Sequence, residues 1–487
     1  MAEVRTLGLS HMLFTSPTFY LLFLPAFLLV FRLVSRDDRL TMLAKLVIVL
    51  GTYCFYLFEN ASYLIPFMIA TLMDLLWSTL LRHTESEKWR RAVVVASVVQ
   101  NLSLLAAYKY VNWLTTIFPG AAFFQVWQAT LADNSGAVVL PPGISFYLFE
   151  SMSFVIDCYR RRIESPRDPL NFLAFITMFP RFIAGPIVRY ADLESTIVNY
   201  RGPRVANGLV LFASGFSLKI LIADSFERLV SYLFGESFTF LGSWLAALSY
   251  TFQLYVDFSA YSMMAIGLGL TLGFPFADNF REPYHSVNVT EFWRRWHISL
   301  STWLRDYLYI SLGGNRGGNI RTYINLWLTM LLGGLWHGAN ATFVIWGAYH
   351  GTLLAVERVL RSRGIQIKSR LLTFLLVVFG WVYFRAKDAA QGERMVNAMI
   401  GLNGWGWSDF KKAFQMNTAY ALLAFVGLMW IFHWEPRLRA RRHNRNWHEL
   451  EVREMSWLVL AGIGSVFLAA VVLSLANKNL PFLYFQF

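Results

Sequence analysis

Charge is what this chain has least of. Of its 487 residues only 15% are Asp, Glu, Lys or Arg, against about 25% in an ordinary soluble domain, and that deficit excludes a water-soluble globular protein. Cysteine is nearly missing as well. Cys54 and Cys158 lie inside or beside apolar runs, too few for a disulfide framework or a cysteine-based metal site, so no metal is expected. The sequence shows no internal repeat and no low-complexity tract. It also lacks a water-exposed basic module, which excludes nucleic acid as a partner. No cleavable signal peptide is evident: the first apolar run, near 18–34, is followed by Arg36, Asp37, Asp38 and Arg39 rather than small residues, and reads as an anchor that stays.

What is abundant is apolar. Hydrophobic residues make up 56% of the chain and aromatics 17%, with a mean hydropathy of +0.44. A membrane-crossing helix needs about 20 largely apolar residues. Candidate spans lie near 18–34, 43–58, 63–82, 92–117, 142–157, 205–233, 244–273, 323–338, 342–357, 371–384, 418–433 and 456–476. The expectation is an all-α polytopic membrane protein, one membrane domain over 1–487. The stretch 170–190, "LNFLAFITMFPRFIAGPIVRY", is apolar but broken by Pro180, Gly185 and Pro186, with Arg181 inside it. It predicts a re-entrant or discontinuous backbone, which at membrane depth must be buried in protein.

The net charge of +13 belongs in the loops. Segments 32–45, 82–91, 158–168, 199–204, 281–321, 358–370 and 435–455 are basic, whereas 59–62, 118–140 and 235–243 are poor in Lys and Arg. The two kinds alternate if the amino terminus is outside, the basic loops are cytoplasmic and residues 323–357 form a hairpin-like pair. Basic loops can also meet anionic headgroups of the bilayer or a phosphorylated cosubstrate.

One polar segment interrupts the apolar pattern. In "EFWRRWHISLSTWLRDYLYISLGGNRGG" (291–318), Phe292, Trp296, Leu300, Trp303 and Tyr307 recur at helical spacing, while Arg294, Arg295, Arg305 and Asp306 fall largely on other faces. Asn288 and Glu291 form a capping-box pattern. The segment is too polar to span and predicts an interfacial helix over about 288–312, tryptophans inward and arginines toward headgroups. In the next run, "YINLWLTMLLGGLWHGANATFVIWGAYH" (323–350), His337 sits at membrane depth beside Gly333, Gly334, Trp336 and Gly338. An ionisable side chain there is costly and marks a functional site by default; the bland reading is a neutral histidine bonded between helices. The glycines admit close approach of another backbone or a ligand. A histidine of near-neutral pKa can take a proton from a hydroxyl, and an acyl thioester is an electrophile that needs neither metal nor ATP.

Together these stretches resemble the membrane-bound O-acyltransferase (MBOAT) family, in its bacterial branch of AlgI-type alginate O-acetylation proteins and DltB-type D-alanyl transferases. The resemblance rests on "PPGISFYLFESMSFVIDCYR" (141–160), "FPRFIAGPIVRY" (179–190), "QLYVDFSAYSMMAIGLGLTLGF" (253–274) and, most specifically, the block 279–351. It extends from "MLFTSPTFYLLFLP" (12–25) to "LPFLYFQF" (480–487). Family members usually begin at the equivalent of Met12, so residues 1–11 read as an N-terminal extension or an early start. The resemblance implies a bundle of about 11–12 transmembrane helices, with re-entrant and interfacial helices around a tunnel. It implies that His337, in "GLWHGA", is catalytic and that His297, in "WRRWHIS", is a second functional residue near the tunnel. Two departures stand out. Ala260 and Met263 replace a Gly and an Asp common in the family, with Asp257 retained, and Ala341 stands where an aromatic is frequent, a change expected to alter tunnel width.

The implied reaction is an acetyl transfer that crosses the bacterial inner membrane. Acetyl-CoA would be the donor, with no tightly bound cofactor, its phosphates met by some of Arg294, Arg295, Arg305, Arg316 and Arg321. The acetyl group would pass to a periplasmic SGNH-type partner for O-acetylation of a secreted polysaccharide such as alginate. The loop 386–417, with Trp405, Trp407 and Phe410, is a candidate docking site for that partner. The rivals are D-alanyl transfer to teichoic acid from a carrier-protein thioester and a proton-coupled transporter or flippase. The latter class often shows inverted repeats with paired broken helices, and none is visible here.

Overall fold

Local signals set the helix boundaries. The side chains of Thr41, Asp168, Asn288, Asn340, Ser369 and Asp388 each accept a backbone N–H two or three residues on, and each opens a helix. The structure is a computed structural model that describes residues 12–36, 39–132, 136–182, 185–236, 238–407, 446–449, 451–476, 480 and 483. The expected span 418–433, Phe410, most of the basic segment 435–455 and the extension 1–11 lie outside the described residues. Those described form helices and connecting turns, with no strand among them.

In chain order the helices are α1 (Leu24–Val34), α2 (Met42–Glu59), α3 (Leu64–His83), α4 (Glu87–Lys109), α5 (Val111–Ile117), α6 (Ala122–Leu131), α7 (Ile144–Tyr159), α8 (Pro169–Ile176), α9 (Tyr190–Val198) and α10 (Val205–Leu218). They continue as α11 (Asp224–Glu236), α12 (Phe240–Thr271), α13 (Val289–Arg295), α14 (Ile298–Trp303), α15 (Gly318–His337), α16 (Ala341–Ser362), α17 (Arg370–Arg385), α18 (Ala389–Met399) and α19 (Trp457–Ala476). Each expected span within the described residues coincides with one or more of these helices. Four segments, 61–83, 87–109, 205–235 and 457–476, are each long and apolar enough to cross a membrane unaided. The run expected over 92–117 begins earlier and breaks at Tyr110, where α4 ends and the short α5 begins. Helices α6 and α18 occupy stretches that read as loops.

Helix α12 is the central post, buried almost without interruption from Ser249 to Thr271. It packs so closely on α10 that a Cβ at Gly208 would strike the carbonyl of Gly267, and one at Gly267 the carbonyl of Gly208. Helices α3, α4 and α7 are pinned by one buried carboxylate. Asp74 accepts from Ser97 Oγ at 2.6 Å, Asn101 Nδ2 at 2.8 Å and Ser151 Oγ at 2.6 Å.

The 170–190 segment is discontinuous, as its prolines require. Helix α8 stops at Ile176, a single 3₁₀ turn spans Phe179–Arg181, and residues 185–189 carry no regular structure before α9 begins. The break is buried in protein. Arg181 and Glu150 pair at 2.8 Å with 1% of each side chain exposed, and Glu150 Oε1 also accepts the N–H of Val188 at 2.9 Å.

Candidate active site

The expected interfacial helix over 288–312 is not one helix. Its apolar face is buried in protein as read: Phe292, Trp296, Leu300, Trp303 and Tyr307 are all covered. Asn288 caps it through Glu291 N at 2.8 Å, and Glu291 reaches back to Val287 N rather than to the cap residue itself. The backbone nevertheless breaks at Trp296–His297, with α13 before it, α14 after, and one π-helical turn at Leu304–Tyr309. The cause is a long-range pairing. Arg281 N donates to Arg295 O at 2.9 Å and Ile298 N to Asn279 O at 2.9 Å, so residues 279–281 take groups that a continuous helix would use. His297 thereby adopts φ 42°, ψ 56°, left-handed backbone that a bulky residue enters only when its surroundings impose it.

The break turns His297 into the protein, where it is 0% exposed. Its tautomer can be read from its neighbour. Asn279 Oδ1 accepts the backbone N–H of Ser299 at 3.2 Å and Ser299 Oγ–H at 2.9 Å, so that atom is the amide oxygen. His297 Nδ1, 3.2 Å away, must therefore be the protonated nitrogen, and in the neutral ring the basic lone pair lies on Nε2.

His337 arrives from the other side as the last residue of α15, with 4% of its surface exposed. The chain reverses through 338–340 into α16, the hairpin expected for 323–357. The expected close approach is present: a Cβ at Gly334 would strike Phe343 O, and one at Gly347 would lie 2.5 Å from Met330 O. The imidazole of His337 stands 6.5 Å, centroid to centroid, from that of His297. Trp336 flanks both rings, 5.0 Å from His337 and 6.2 Å from His297, and Trp346 and Phe384 close other sides of His337 at 5.1 Å each. Two histidines some 40 positions apart in sequence thus share one aromatic-walled chamber. Such a pair can accept and return a proton where the walls exclude competing water.

The five arginines do not gather at one point. Arg294 borders a cavity of about 520 Å³ beside α13, whose polar lining includes Glu291, Glu357, Arg361 and Lys368. Arg295 pairs with Glu291 at 2.8 Å and donates to Arg281 O at 3.2 Å. Arg305 pairs with Asp306 at 2.6 Å, and Arg189 holds the same carboxylate at 2.8 Å. Burial pushes the Asp306 carboxyl up, but the hydrogen bonds and charges of the two guanidiniums outweigh it and hold the group below its ordinary range. Arg316 and Arg321 lie exposed at the glycine-rich turn and the start of α15. Ala341 also lies exposed, in the first turn of α16, so its expected effect on tunnel width has no support in the burial pattern.

Several residues of the site were not picked out from sequence. Asn279, which sets the His297 tautomer, carried no local signal. Lys109 and Tyr110 touch the end of α15 at Trp336 O and Leu335 O. Lys109 did carry a signal, an ionisable side chain inside an apolar run, the same one that drew attention to His337. A third histidine, His350, is fully buried beyond Trp346 at 5.0 Å and wedged against Gly380.

Comparison with known proteins identifies the family. The family described as MBOAT, membrane-bound O-acyltransferase, matches residues 92–383. A probable alginate O-acetylase AlgI of Pseudomonas aeruginosa is 39% identical over 98% of this chain and 100% of its own length. A relative of the same name from Azotobacter vinelandii is 40% identical over the same shares. A peptidoglycan O-acetyltransferase of Helicobacter pylori is 33% identical over 81% of this chain and 80% of its own.

Proposed function

This chain belongs to the membrane-bound O-acyltransferase family and is a membrane O-acyltransferase, and from that premise we propose that it moves acetyl groups across the bacterial inner membrane for O-acetylation of a secreted polysaccharide such as alginate. The donor is acetyl-CoA on the cytoplasmic face, and the acceptor is served by a periplasmic SGNH-type partner. The observation that carries this reading is the buried histidine pair, 6.5 Å apart in an aromatic chamber. The names of the relatives that span nearly the whole chain supply the acetyl group and the polysaccharide.

In this reading His337 takes the proton of the acceptor hydroxyl as its oxygen attacks the thioester carbonyl. The C–S bond breaks, and the thiolate of CoA leaves and recovers the proton. General-base assistance of this kind contributes roughly 10²- to 10⁴-fold in rate. His297, with its lone pair on Nε2, orients the acceptor or thioester, or assists that proton transfer. Among the arginines, Arg294, Arg316 and Arg321 have no carboxylate partner among the described residues and suit the CoA phosphates best. Arg295 and Arg305 would have to exchange Glu291 and Asp306 for phosphate. Trp405 and Trp407, 68% and 66% exposed, are the described tryptophans of the candidate docking loop for the partner.

The test uses membrane vesicles with the cytoplasmic face outward and radiolabelled acetyl-CoA in the medium. Wild type is expected to release CoA and pass label to the partner or glycan, and His337→Ala to do neither at equal protein level. Turnover by the variant would show that His337 is not the base. If wild type itself never consumes acetyl-CoA, the donor is wrong, and a carrier-protein thioester for D-alanyl transfer takes its place. Family membership sets the transporter alternative aside.

A further inference from the structure

Helix α15 ends abruptly. Most helices that stop inside a protein turn through a left-handed residue that folds back on the last carbonyls, or leave them to water. Here the residue after His337 is Gly338 at φ −165°, ψ 156°, extended backbone that carries the chain away. The carbonyls of the last turn must then find partners elsewhere, at a depth where water is scarce.

Two of them find partners on one short piece of chain. Tyr110 Oη–H donates to Leu335 O at 2.6 Å, and Lys109 Nζ donates to Trp336 O. Both side chains project from the junction where α4 stops and α5 starts. Lys109 also lies 3.4 Å from Ser145 Oγ in the first turn of α7 and 5.7 Å over the ring of Trp336. A lysine in a membrane protein ordinarily reaches outward to headgroups; this one reaches inward to a helix end, where a positive charge meets the negative pole of the macrodipole.

The carbonyl that Lys109 takes has a particular consequence. Trp336 O belongs to the same planar peptide unit as the nitrogen of His337. Any swing of that plane displaces the His337 Cα and tilts the imidazole. It also moves the Trp336 ring, which flanks both histidines. Helix α4 is a firm base for this grip, since Ser97 and Asn101 tie it to Asp74 on α3. We propose that Lys109 and Tyr110 form a side-chain cap on the end of α15 that positions His337 for proton transfer. The proposal rests on the reading of His337 as the general base.

The test compares Lys109→Met, Lys109→Arg, Tyr110→Phe and His337→Ala, full-length in vesicles, with acetyl-CoA turnover and the thermal midpoint of tryptophan fluorescence in detergent. Methionine keeps the apolar stem but loses charge and donor. Its kcat is expected to fall by about tenfold to a hundredfold, the range a misplaced catalytic group produces, with the KM for acetyl-CoA within about twofold of wild type. Arginine, which keeps both, restores most of the loss, and Tyr110→Phe loses severalfold in kcat. A lysine that merely braces the fold would lower the midpoint and the active fraction together, without rescue by arginine, and that result overturns the proposal. A raised KM with kcat intact also overturns it, because Lys109 would then bind the donor. If Lys109→Met does not fold, Tyr110→Phe decides: an unchanged kcat defeats the cap. Activity retained by His337→Ala would instead sink the underlying site assignment.

Discussion

Two buried polar pairs in this molecule are built in opposite ways. Glu150 and Arg181 meet at 2.8 Å and cancel each other's charge, with Val188 N supplying a further bond to the carboxylate. His297 and His337 stand 6.5 Å apart, walled by Trp336, Trp346, Phe258 and Phe384. The first pair closes a gap in the backbone: it holds the broken segment between α8 and α9 against α7, where a continuous helix would have satisfied its own carbonyls. The second sets two imidazoles side by side among aromatic rings, with their planes 53° apart. Both bury ionisable side chains, yet one arrangement is suited to holding and the other, in the proposed reading, to exchanging a proton. Burial of an ionisable group in a membrane protein therefore does not by itself separate structure from function; the spacing and partners do.

The comparison breaks most visibly at Arg181. Arg181→Met leaves Glu150 buried without its counter-charge and is expected to cost about 3–5 kcal/mol of stability, read as a large fall in thermal midpoint or loss of folded protein. The double variant Arg181→Met, Glu150→Leu removes both charges and is expected to recover most of that loss. A double variant as unstable as the single one would mean that the side chains matter for packing rather than charge. His337→Ala, by contrast, is expected to leave the midpoint nearly unchanged while abolishing transfer.

A smaller effect is expected at Asn279. Asn279→Leu strips the acceptor from His297 Nδ1 and from Ser299, which leaves buried donors unpaired at a cost of about 1–3 kcal/mol. The imidazole is then free to adopt the other tautomer, so kcat falls while acetyl-CoA binding holds. Asn279→Asp keeps an acceptor oxygen at the same place and is expected to retain the tautomer. Equal activity of the Leu variant and wild type would show that the tautomer of His297 is irrelevant to turnover.

How much of this was legible follows from the range of each interaction. The helical runs, the break at Pro180 and the α15–α16 reversal are local, and their apolar periods and proline or glycine signals mark them. His337 was legible because a lone histidine in an apolar run is conspicuous. Lys109 was equally conspicuous inside the run expected over 92–117, but its partners at the end of α15 lie more than 200 residues on, where no local pattern reports them. The break at His297 was hidden by an apolar period that continues from Phe292 to Tyr307 without a skip. It comes from pairing with residues 279–281, which no local pattern reports. Helices α6 and α18 were missed for a simpler reason: at 10 and 11 residues they are too short to stand out between longer spans.

That hidden break allows the finest division between holding and reacting. Because His297 sits at φ 42°, glycine in its place would adopt the same backbone without a Cβ penalty, whereas alanine would not. His297→Gly is therefore expected to match or exceed His297→Ala in stability by about 1 kcal/mol, although glycine is the more flexible residue in the unfolded chain. Both variants lose the imidazole, so both lose activity equally. If alanine proves the more stable, the left-handed turn is not intrinsic to the segment, and the pairing with 279–281 does not hold it there. If the two differ in activity, the backbone at 297, and not only its ring, takes part in shaping the chamber. Equal activity with unequal stability would place the strain in the fold and the chemistry in the side chain.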